Sequence, residues 1–273
     1  SRGIRWCSDA NTGRMSSSLP QAIRARALFW LPDPTSPSSN APTGQPGSIV
    51  TSADRGPDRD ASMRNHQAMT RAAYDTVAKS YTELVASDLG DKPLDRGLLA
   101  VFAELVTSGG DGAVLDAGCG SGRVAEHLDG LGLAVTGIDL SPEMIRLALT
   151  ACPQSQFVVG SLLDIPISAG RFDGIVAWYS IIHTPPEQLP IVFEEFARLL
   201  RPGGSLLLAF QIGDERVRLE DVYGHRVSYD AYRLRPSRIA EQLNYAGFAV
   251  EVQVIREPSG GERQQQAYLL ARL

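Results

Sequence analysis

The residues best suited to chemistry lie in one short stretch, a run of glycines preceded by an acid. Residues 113–123, with the sequence AVLDAGCGSGR, have the pattern of an apolar strand, a turn and the start of a helix. Glycines at positions 118, 120 and 122 permit positive φ angles and leave no Cβ to keep a ligand away from the backbone. Because the first turn of a helix also offers unpaired N–H groups, the stretch predicts a ligand-binding loop.

The composition of this loop indicates the kind of ligand. The dinucleotide fingerprint G-x-G-x-x-G requires a glycine where this chain has Arg123, and the Gly-Lys-Ser or Gly-Lys-Thr of a P-loop is missing. Asp116 precedes the first glycine, where its carboxylate would repel a pyrophosphate but can accept hydrogen bonds from an ammonium group. The loop therefore favours a ligand with an amino-acid moiety.

A second carboxylate follows at the end of the next predicted strand. Residues 133–139 are largely apolar and end in Asp139, about where a doubly wound sheet places a ribose-binding acid. Ser141 and Pro142 then open a helix as a cap residue and a first-turn residue. Two strand ends are therefore expected to present carboxylates to one site.

Four motifs in order, VLDAGCGSGR, VTGIDLSPEMI, FDGIVAWYS and LLRPGGSLLLAF, resemble those of the class I S-adenosylmethionine-dependent methyltransferases. The chain looks most similar to the bacterial small-molecule branch of that family, over about residues 74–273. The resemblance implies S-adenosyl-L-methionine as the cofactor and a small molecule as the methyl acceptor. By this resemblance, Asp116, Gly118 and Gly120 would contact the methionine part of the cofactor. Asp139 would bind the ribose, and Leu140 and Met144 would flank the adenine.

Four more residues are expected to contact the cofactor. Tyr81 ends a Y-D-x-x-A-x-x-Y segment that closes over the cofactor in the family, although core packing is an equal alternative. Ser161 stands where many relatives have the acid that binds the adenine amino group, so this contact should be weaker. Leu162 would offer its backbone N–H to the ring, and Trp178 an aromatic face to the sulfonium.

The acceptor is expected just beyond the fourth strand, at the carboxyl end of the sheet. Tyr179 offers a flat face for stacking a small substrate. His183 is a candidate base or substrate contact, because histidine can take up a proton near neutral pH, and a purely structural role is the alternative. His225 is a second candidate base. Since no N-P-P-Y or D-P-P-Y motif follows the strand, methylation of a nucleobase amine is disfavoured.

Residues 211–235 interrupt the alternation of strands and helices and form an insertion over the strand ends. One interpretation is a substrate cap that holds an anionic or aromatic molecule, with Tyr229 and Arg233 as contacts. The other is a solvated β-ribbon, because apolar and polar residues alternate around position 229.

The remaining pattern predicts the elements that position these residues. Two amphipathic helices, beginning near residues 70 and 94, precede the first strand. The last two strands are joined by a short loop, which requires them to be antiparallel. The predicted fold is α/β: a Rossmann-like, doubly wound, seven-stranded sheet, mostly parallel, with an antiparallel C-terminal hairpin strand. This domain is expected to cover residues 61–273.

Residues 1–60 are rich in Ser, Pro, Gly and Arg and are expected to be disordered, with Met63 or Met69 as the functional start. The formal net charge of −5 does not favour a broad nucleic-acid or anionic-membrane surface. The three cysteines and four histidines show no metal-ligand spacing. We therefore expect a cytoplasmic monomer or homodimer that binds no metal, nucleic acid or membrane.

Two other functions stay open from the sequence. A nicotinamide-dependent oxidoreductase is disfavoured by Arg123 at the third fingerprint position and by Asp116. A protein that binds S-adenosylmethionine without transferring its methyl group would carry the same motifs. The sequence identifies neither the acceptor molecule nor the accepting atom.

Overall fold

The computed structural model describes residues 57–86 and 89–273 of the chain, with side chains from residue 62 onward. Two helices precede the sheet, α1 (Pro57–Val85) and α2 (Pro93–Gly109). Helix α1 therefore begins well before its apolar pattern and includes the last residues of the segment expected to be disordered. Its first half carries polar side chains on the face that covers a cleft, so no apolar periodicity marks it. Residues 1–56, to which the rest of that expectation applies, lie outside the described residues.

Within the described residues nine strands follow in chain order, and seven of them form one sheet. They are β1 (Ala113–Ala117), β2 (Ala134–Asp139), β3 (Gln156–Val159), β4 (Phe172–Trp178), β5 (Leu200–Gln211), β6 (Arg216–Val222), β7 (His225–Tyr232), β8 (Ala249–Arg256) and β9 (Gln266–Arg272). The order in the large sheet is β3-β2-β1-β4-β5-β9-β8. Strand β9 is antiparallel to both neighbours, and the other pairs are parallel. The predicted fold class is confirmed.

Helices cover both faces of this sheet, as parallel strands require. They are α3 (Arg123–Gly130), α4 (Pro142–Ala151), α5 (Leu189–Leu199) and α6 (Pro236–Tyr245), with a short 3₁₀ turn at Ile181–His183. Phe193 and Phe196 of α5 are fully buried on one face, and Phe102 of α2 and Leu128 of α3 on the other. The core is therefore two apolar layers with the sheet between them, which fixes the strand ends rigidly.

The insertion forms a separate antiparallel ribbon of β6 and β7. The alternation of apolar and polar residues predicted a solvated β-ribbon. The ribbon is present, but one of its faces is buried. Val217, Leu219, Tyr229 and Ala231 form a buried cluster with Ala73 of α1. The ribbon and α1 therefore stabilise each other above the sheet.

None of the helices described is long and apolar enough to cross a lipid bilayer.

Candidate functional site

An open cleft lies at the carboxyl ends of β1 to β4, beneath α1, with about 840 Å³ of empty space that includes adjoining solvent. Ligands of open α/β sheets bind at this edge, beyond the carboxyl ends of the strands. Ten residues singled out from the sequence line it: Tyr81, Gly118, Gly120, Asp139, Leu140, Ser161, Leu162, Trp178, Tyr179 and His183. Five others do not: Asp116, Met144, His225, Tyr229 and Arg233. Helix α1 adds residues that the sequence did not single out, including His66, Gln67 and Thr70.

The glycine loop is held against the end of β4. Gly118 has φ +80°, and a Cβ there would lie 2.2 Å from the Cβ of Ser180. The Ser180 hydroxyl donates to the carbonyl of Ala117 in a short hydrogen bond of 2.5 Å. The backbone N–H of Gly118 also donates to the carbonyl of Ile138 at 2.8 Å. Only a residue without a side chain allows this close approach of strand ends, which explains the glycine at 118.

Asp139 is oriented by the backbone before any ligand binds. One carboxylate oxygen accepts from the N–H of Gly120 at 2.9 Å, and the other from the N–H of Ser141 at 2.8 Å. Burial raises the pKa of Asp139 to about 6, and these hydrogen bonds oppose that rise because they favour the charged form. A fixed carboxylate at the end of β2 therefore faces the cleft.

Asp116 and Met144 lie behind the cleft wall. Asp116 is 1% exposed, and burial raises the pKa of its carboxyl to about 7, against the lowering effect of Arg123. Its Oδ2 atom has no hydrogen-bond partner among the described residues. Met144 is fully buried in α4, where its N–H donates to the capping hydroxyl of Ser141 at 3.2 Å. Both residues support the wall, and direct ligand contact stays a prediction for them.

The buried carboxyl of Asp116 leads to a prediction of pH-dependent stability. In the folded protein the pKa of Asp116 is about 7, against an ordinary value of 3.8. Between these two pH values the unfolded chain binds fewer protons than the folded protein, so the stability of the fold decreases as pH rises. Asp116→Asn removes this loss because an amide does not ionise. We expect the Tm of the variant relative to wild type to rise by roughly 5 °C between pH 5 and pH 8 in scanning calorimetry. Asp129→Asn, at an exposed position, is the control, and its Tm should follow that of wild type at every pH. If the Tm of Asp116→Asn also stayed at a constant difference from wild type across this pH range, burial would not raise the pKa of Asp116.

Helix α1 crosses the cleft and is attached on both sides. Gln67 donates to the Ser161 hydroxyl at 2.8 Å, and the ring of His66 bonds the carbonyl of His183 at 2.8 Å. Asp75 accepts from the Ser141 hydroxyl at 2.5 Å. Ser161, expected at the adenine, is therefore already a partner of α1. These attachments make α1 the roof of the site.

His183 forms a hydrogen-bonded pair with Tyr74 of α1. The Nε2 atom lies 2.7 Å from the Tyr74 hydroxyl, and Nδ1 lies 3.4 Å from the carbonyl of Asp230. Burial lowers the pKa of His183 to about 4, so the ring is neutral near pH 7. Tyr229 is fully buried and packs its ring 5.4 Å from that of Tyr74 and 5.7 Å from that of His183. It supports the pair from behind and does not reach the cleft.

The insertion does not bring its basic residues to the cleft, contrary to the cap interpretation with Arg233. Arg216 and Arg218 bind the carboxylate of Asp230 at 2.7 and 3.2 Å. Arg233 is paired with Glu215 at 3.2 Å. Each of these three arginines is therefore already paired with an acid of the ribbon or with the acidic residue just before it. The expectation of an arginine-bound anionic substrate is therefore not supported by the position of these side chains.

His225 is also away from the cleft. It begins β7, and its Nε2 atom lies 2.9 Å from the hydroxyl of Ser80 on the outer part of α1. A base must reach the proton that it removes, so His225 is not positioned for that role in this cleft. His225 lies at the turn between β6 and β7, which is the end of the ribbon opposite to its connections with the rest of the domain.

Trp178 and Tyr179 form the floor of the cleft at the end of β4. Their rings are 6.1 Å apart and nearly perpendicular. Tyr179 has φ +54°, which is uncommon for a residue with a side chain and is often found at functional sites. Its backbone N–H donates to the carbonyl of Ala209 at 2.9 Å, so β5 holds the strained residue in place. Among the described residues, no group of three or more His, Cys, Asp and Glu side chains could hold a metal ion.

Comparisons with known proteins agree with this architecture. Residues 114–204 match the profile of a methyltransferase domain family. Over 147 residues the chain is 33% identical to a demethylmenaquinone methyltransferase of Tropheryma whipplei, covering 52% of this chain and 59% of that protein. The chain thus spans less than two thirds of that relative's length. Residues 114–204 thus match a methyltransferase domain, in agreement with the resemblance that the four motifs indicated.

Two solved structures share the fold at low sequence identity. The complex of DhpI with S-adenosylhomocysteine superposes with a TM-score of 0.61, at 21% identity, covering 77% of this chain and 97% of that one. The [4+2]-cyclase SpnF superposes with a TM-score of 0.52, at 19% identity, covering 65% and 80%. SpnF is named as a cyclase and not as a methyltransferase. The fold by itself therefore does not define the reaction.

Proposed function

We propose that this protein transfers a methyl group from S-adenosylmethionine to a small-molecule acceptor. The observation that carries the proposal is a single cleft with two kinds of wall. The first wall consists of Gly118, Gly120 and Asp139, where the N–H of Gly120 donates to Asp139, and the second is the hydrogen-bonded pair of Tyr74 and His183. A donor bound at the first wall and an acceptor at the second would be neighbours, which is the main requirement for a displacement at a methyl carbon.

The residues at the first wall fit the proposed cofactor. A Cβ at Gly120 would meet no atom within 4 Å, so open space adjoins the loop backbone. The two oxygens of Asp139 are fixed by backbone N–H groups and can each accept from a ribose hydroxyl as well. Trp178 offers an aromatic face, which attracts a cation. When bound, S-adenosylmethionine supplies a reactive methyl group on a positively charged sulfur.

The protein itself would contribute alignment and the exclusion of water. Helix α1 is attached to the cleft wall through Ser161 and the carbonyl of His183, so it can close over bound molecules. The strained backbone of Tyr179 fixes the floor on which an acceptor would rest. A small acceptor is supported by the limited volume beneath α1 and by the quinone-related name of the relative from Tropheryma whipplei.

Cofactor titration tests the first half of this proposal. We expect isothermal calorimetry to show one site per chain for S-adenosylmethionine and for S-adenosylhomocysteine, and no heat from NAD⁺. The physical reason is Asp116 ahead of the loop and the missing third glycine, which disfavour a pyrophosphate. Binding of NAD⁺ without binding of either sulfur compound would support the oxidoreductase alternative instead.

Methyl transfer tests the second half. Incubation of the full chain with isotopically labelled S-adenosylmethionine and a metabolite extract should give labelled products in mass spectrometry. The non-catalytic alternative predicts cofactor binding with no labelled product from any fraction. The cyclase with the same fold makes that alternative worth testing.

A further inference from the structure

We propose that the acceptor is an uncharged molecule with a hydroxyl group, and that Tyr74 takes up the hydroxyl proton while passing its own phenolic proton to His183. This inference rests on the proposed methyl transfer and specifies its substrate class and its proton acceptor. It depends on two features of the cleft, the distribution of charge and the geometry of the Tyr74–His183 pair.

The charges around the cleft disfavour an anionic acceptor. None of the described residues that line it is a lysine or arginine, and Asp139 is an acid. Arg216 and Arg218 of the ribbon are bound by the carboxylate of Asp230. An anionic group of the acceptor near Tyr74 and His183 would lose water without gaining a lysine or arginine partner, which is unfavourable. Uncharged acceptors carry no such cost.

The polar groups near the floor are instead neutral hydrogen-bonding groups. The cleft is lined by Thr70, Tyr74, His183, Ser180 and Gln188. Hydroxyl, imidazole and amide groups suit a substrate that can both donate and accept a hydrogen bond. An acceptor hydroxyl has this property, and a quaternary or purely apolar carbon does not.

The Tyr74–His183 pair has a defined direction of proton donation. Nδ1 of His183 lies 3.4 Å from the carbonyl of Asp230, which can only accept, so the assigned tautomer carries its hydrogen on Nδ1. Nε2 is then an acceptor, and the Tyr74 hydroxyl donates to it at 2.7 Å. The phenolic oxygen keeps a lone pair for a second donor. Burial keeps the His183 ring neutral before the reaction, and the same lowered pKa means that the imidazolium formed in the transfer readily gives up its proton.

These contacts allow a balanced transfer. The acceptor hydroxyl gives its proton to the Tyr74 oxygen while the phenolic proton of Tyr74 moves to Nε2 of His183. The acceptor oxygen forms a bond to the methyl carbon as the carbon–sulfur bond breaks and its electron pair stays on sulfur. One positive charge disappears from sulfur and one appears on the imidazolium, so the charge of the cleft is unchanged. The Asp230 carbonyl then accepts from the imidazolium, and the proton leaves to solvent after product release.

A hydroxyl acceptor explains why such a pair would be needed. A neutral amine has a free electron pair and can attack before it loses a proton, whereas a hydroxyl attacks efficiently only as its proton leaves. Proton removal by a positioned group contributes typically about 10²–10⁴-fold to rate. Tyr74 lies on α1, so the pair forms only when α1 covers the cleft.

The acceptor class is tested by dividing the metabolite extract on an anion-exchange column. We expect labelled methyl groups in the unretained fraction, attached to oxygen. Labelled products confined to the retained anionic fraction, or methylated on nitrogen, sulfur or carbon, would overturn this inference and leave methyl transfer standing. Absence of product from both fractions, with cofactor binding intact, would overturn the proposed function and this inference with it.

The proton pathway is tested on the acceptor found in that screen. We expect Tyr74→Phe and His183→Gln each to lower kcat by about 100-fold, with KM for the acceptor and Kd for S-adenosylhomocysteine changed less than about threefold. Because the two groups act as a unit, the double variant should be no slower than the slower single variant. Tyr245→Phe removes a hydroxyl from an exposed tyrosine at the end of α6, away from the residues that line the cleft, and is the matched control. A raised KM with unchanged kcat in Tyr74→Phe, or additive losses in the double variant, would overturn the relay.

Discussion

Asp139→Ala is expected to abolish measurable binding of S-adenosylmethionine. The substitution removes the acceptor proposed for two ribose hydroxyls, and hydrogen bonds to a charged group contribute about 1.5–3 kcal/mol each. It also releases the N–H groups of Gly120 and Ser141, which Asp139 holds at 2.9 and 2.8 Å. The combined loss corresponds to a Kd raised by about 10²–10⁴-fold. Isothermal calorimetry with S-adenosylhomocysteine measures it.

Two further variants separate ribose binding from loop support. Asp139→Asn keeps one acceptor oxygen of similar shape, so binding should weaken less than in Asp139→Ala. Asp164→Ala removes an exposed acid that does not line the cleft, and its affinity should equal that of wild type. Near-normal affinity in Asp139→Ala, with the fold intact by circular dichroism, would show that the cofactor lies elsewhere.

Gly118→Ala is expected to give the largest loss of stability among single-methyl additions in the loop. The added Cβ would lie 2.2 Å from the Cβ of Ser180, and φ of +80° is unfavourable for alanine. Overpacking and the left-handed backbone together should lower the free energy of unfolding by about 3 kcal/mol or more. The shift of Ser180 would also break its hydrogen bond to Ala117. Urea denaturation of the unliganded protein measures the loss, and binding of S-adenosylhomocysteine should weaken with it.

Gly203→Ala is the matched control for this prediction. Its φ of +79° is nearly the same, but no atom lies within 4 Å of the added Cβ. This variant should lose only the backbone contribution, about 1–2 kcal/mol. The difference between the two variants therefore measures the contact with Ser180. If both variants lost the same free energy of unfolding, Ser180 at the end of β4 would move away from the added methyl group at no energetic cost.

Much of the fold was predictable because its causes are local. Runs of apolar residues mark the strands buried on both faces, and Ser141 with Pro142 marks the start of α4, where the serine caps the helix as expected. The antiparallel arrangement of β8 and β9 follows from the shortness of the loop between them. Such features depend on neighbours in sequence, so the residues themselves contain the information.

Parts of the site were not predictable because their partners are distant in sequence. His66 contacts the His183 carbonyl across 117 positions, and Gln67 contacts Ser161 across 94. Neither residue belongs to a recognisable motif or an apolar stripe. The arginines of the insertion suggested an anion site, but the buried carboxylate of Asp230 accepts hydrogen bonds from both Arg216 and Arg218. No spacing rule distinguishes an arginine that is free for a ligand from one that is already paired.

The sequence by itself determined the doubly wound sheet, the glycine loop and the carboxylate of Asp139 at its carboxyl edge. These follow from periodicity, from the conformational freedom of glycine and from the strand end at which an acid stands. Only the tertiary structure decided that α1 is the roof, that Tyr74 and His183 meet at 2.7 Å, and that His225 and Arg233 face away. The physical reason is that a side chain acts through what it touches, and these contacts join helix, ribbon and sheet edge, which come together only when the whole chain packs.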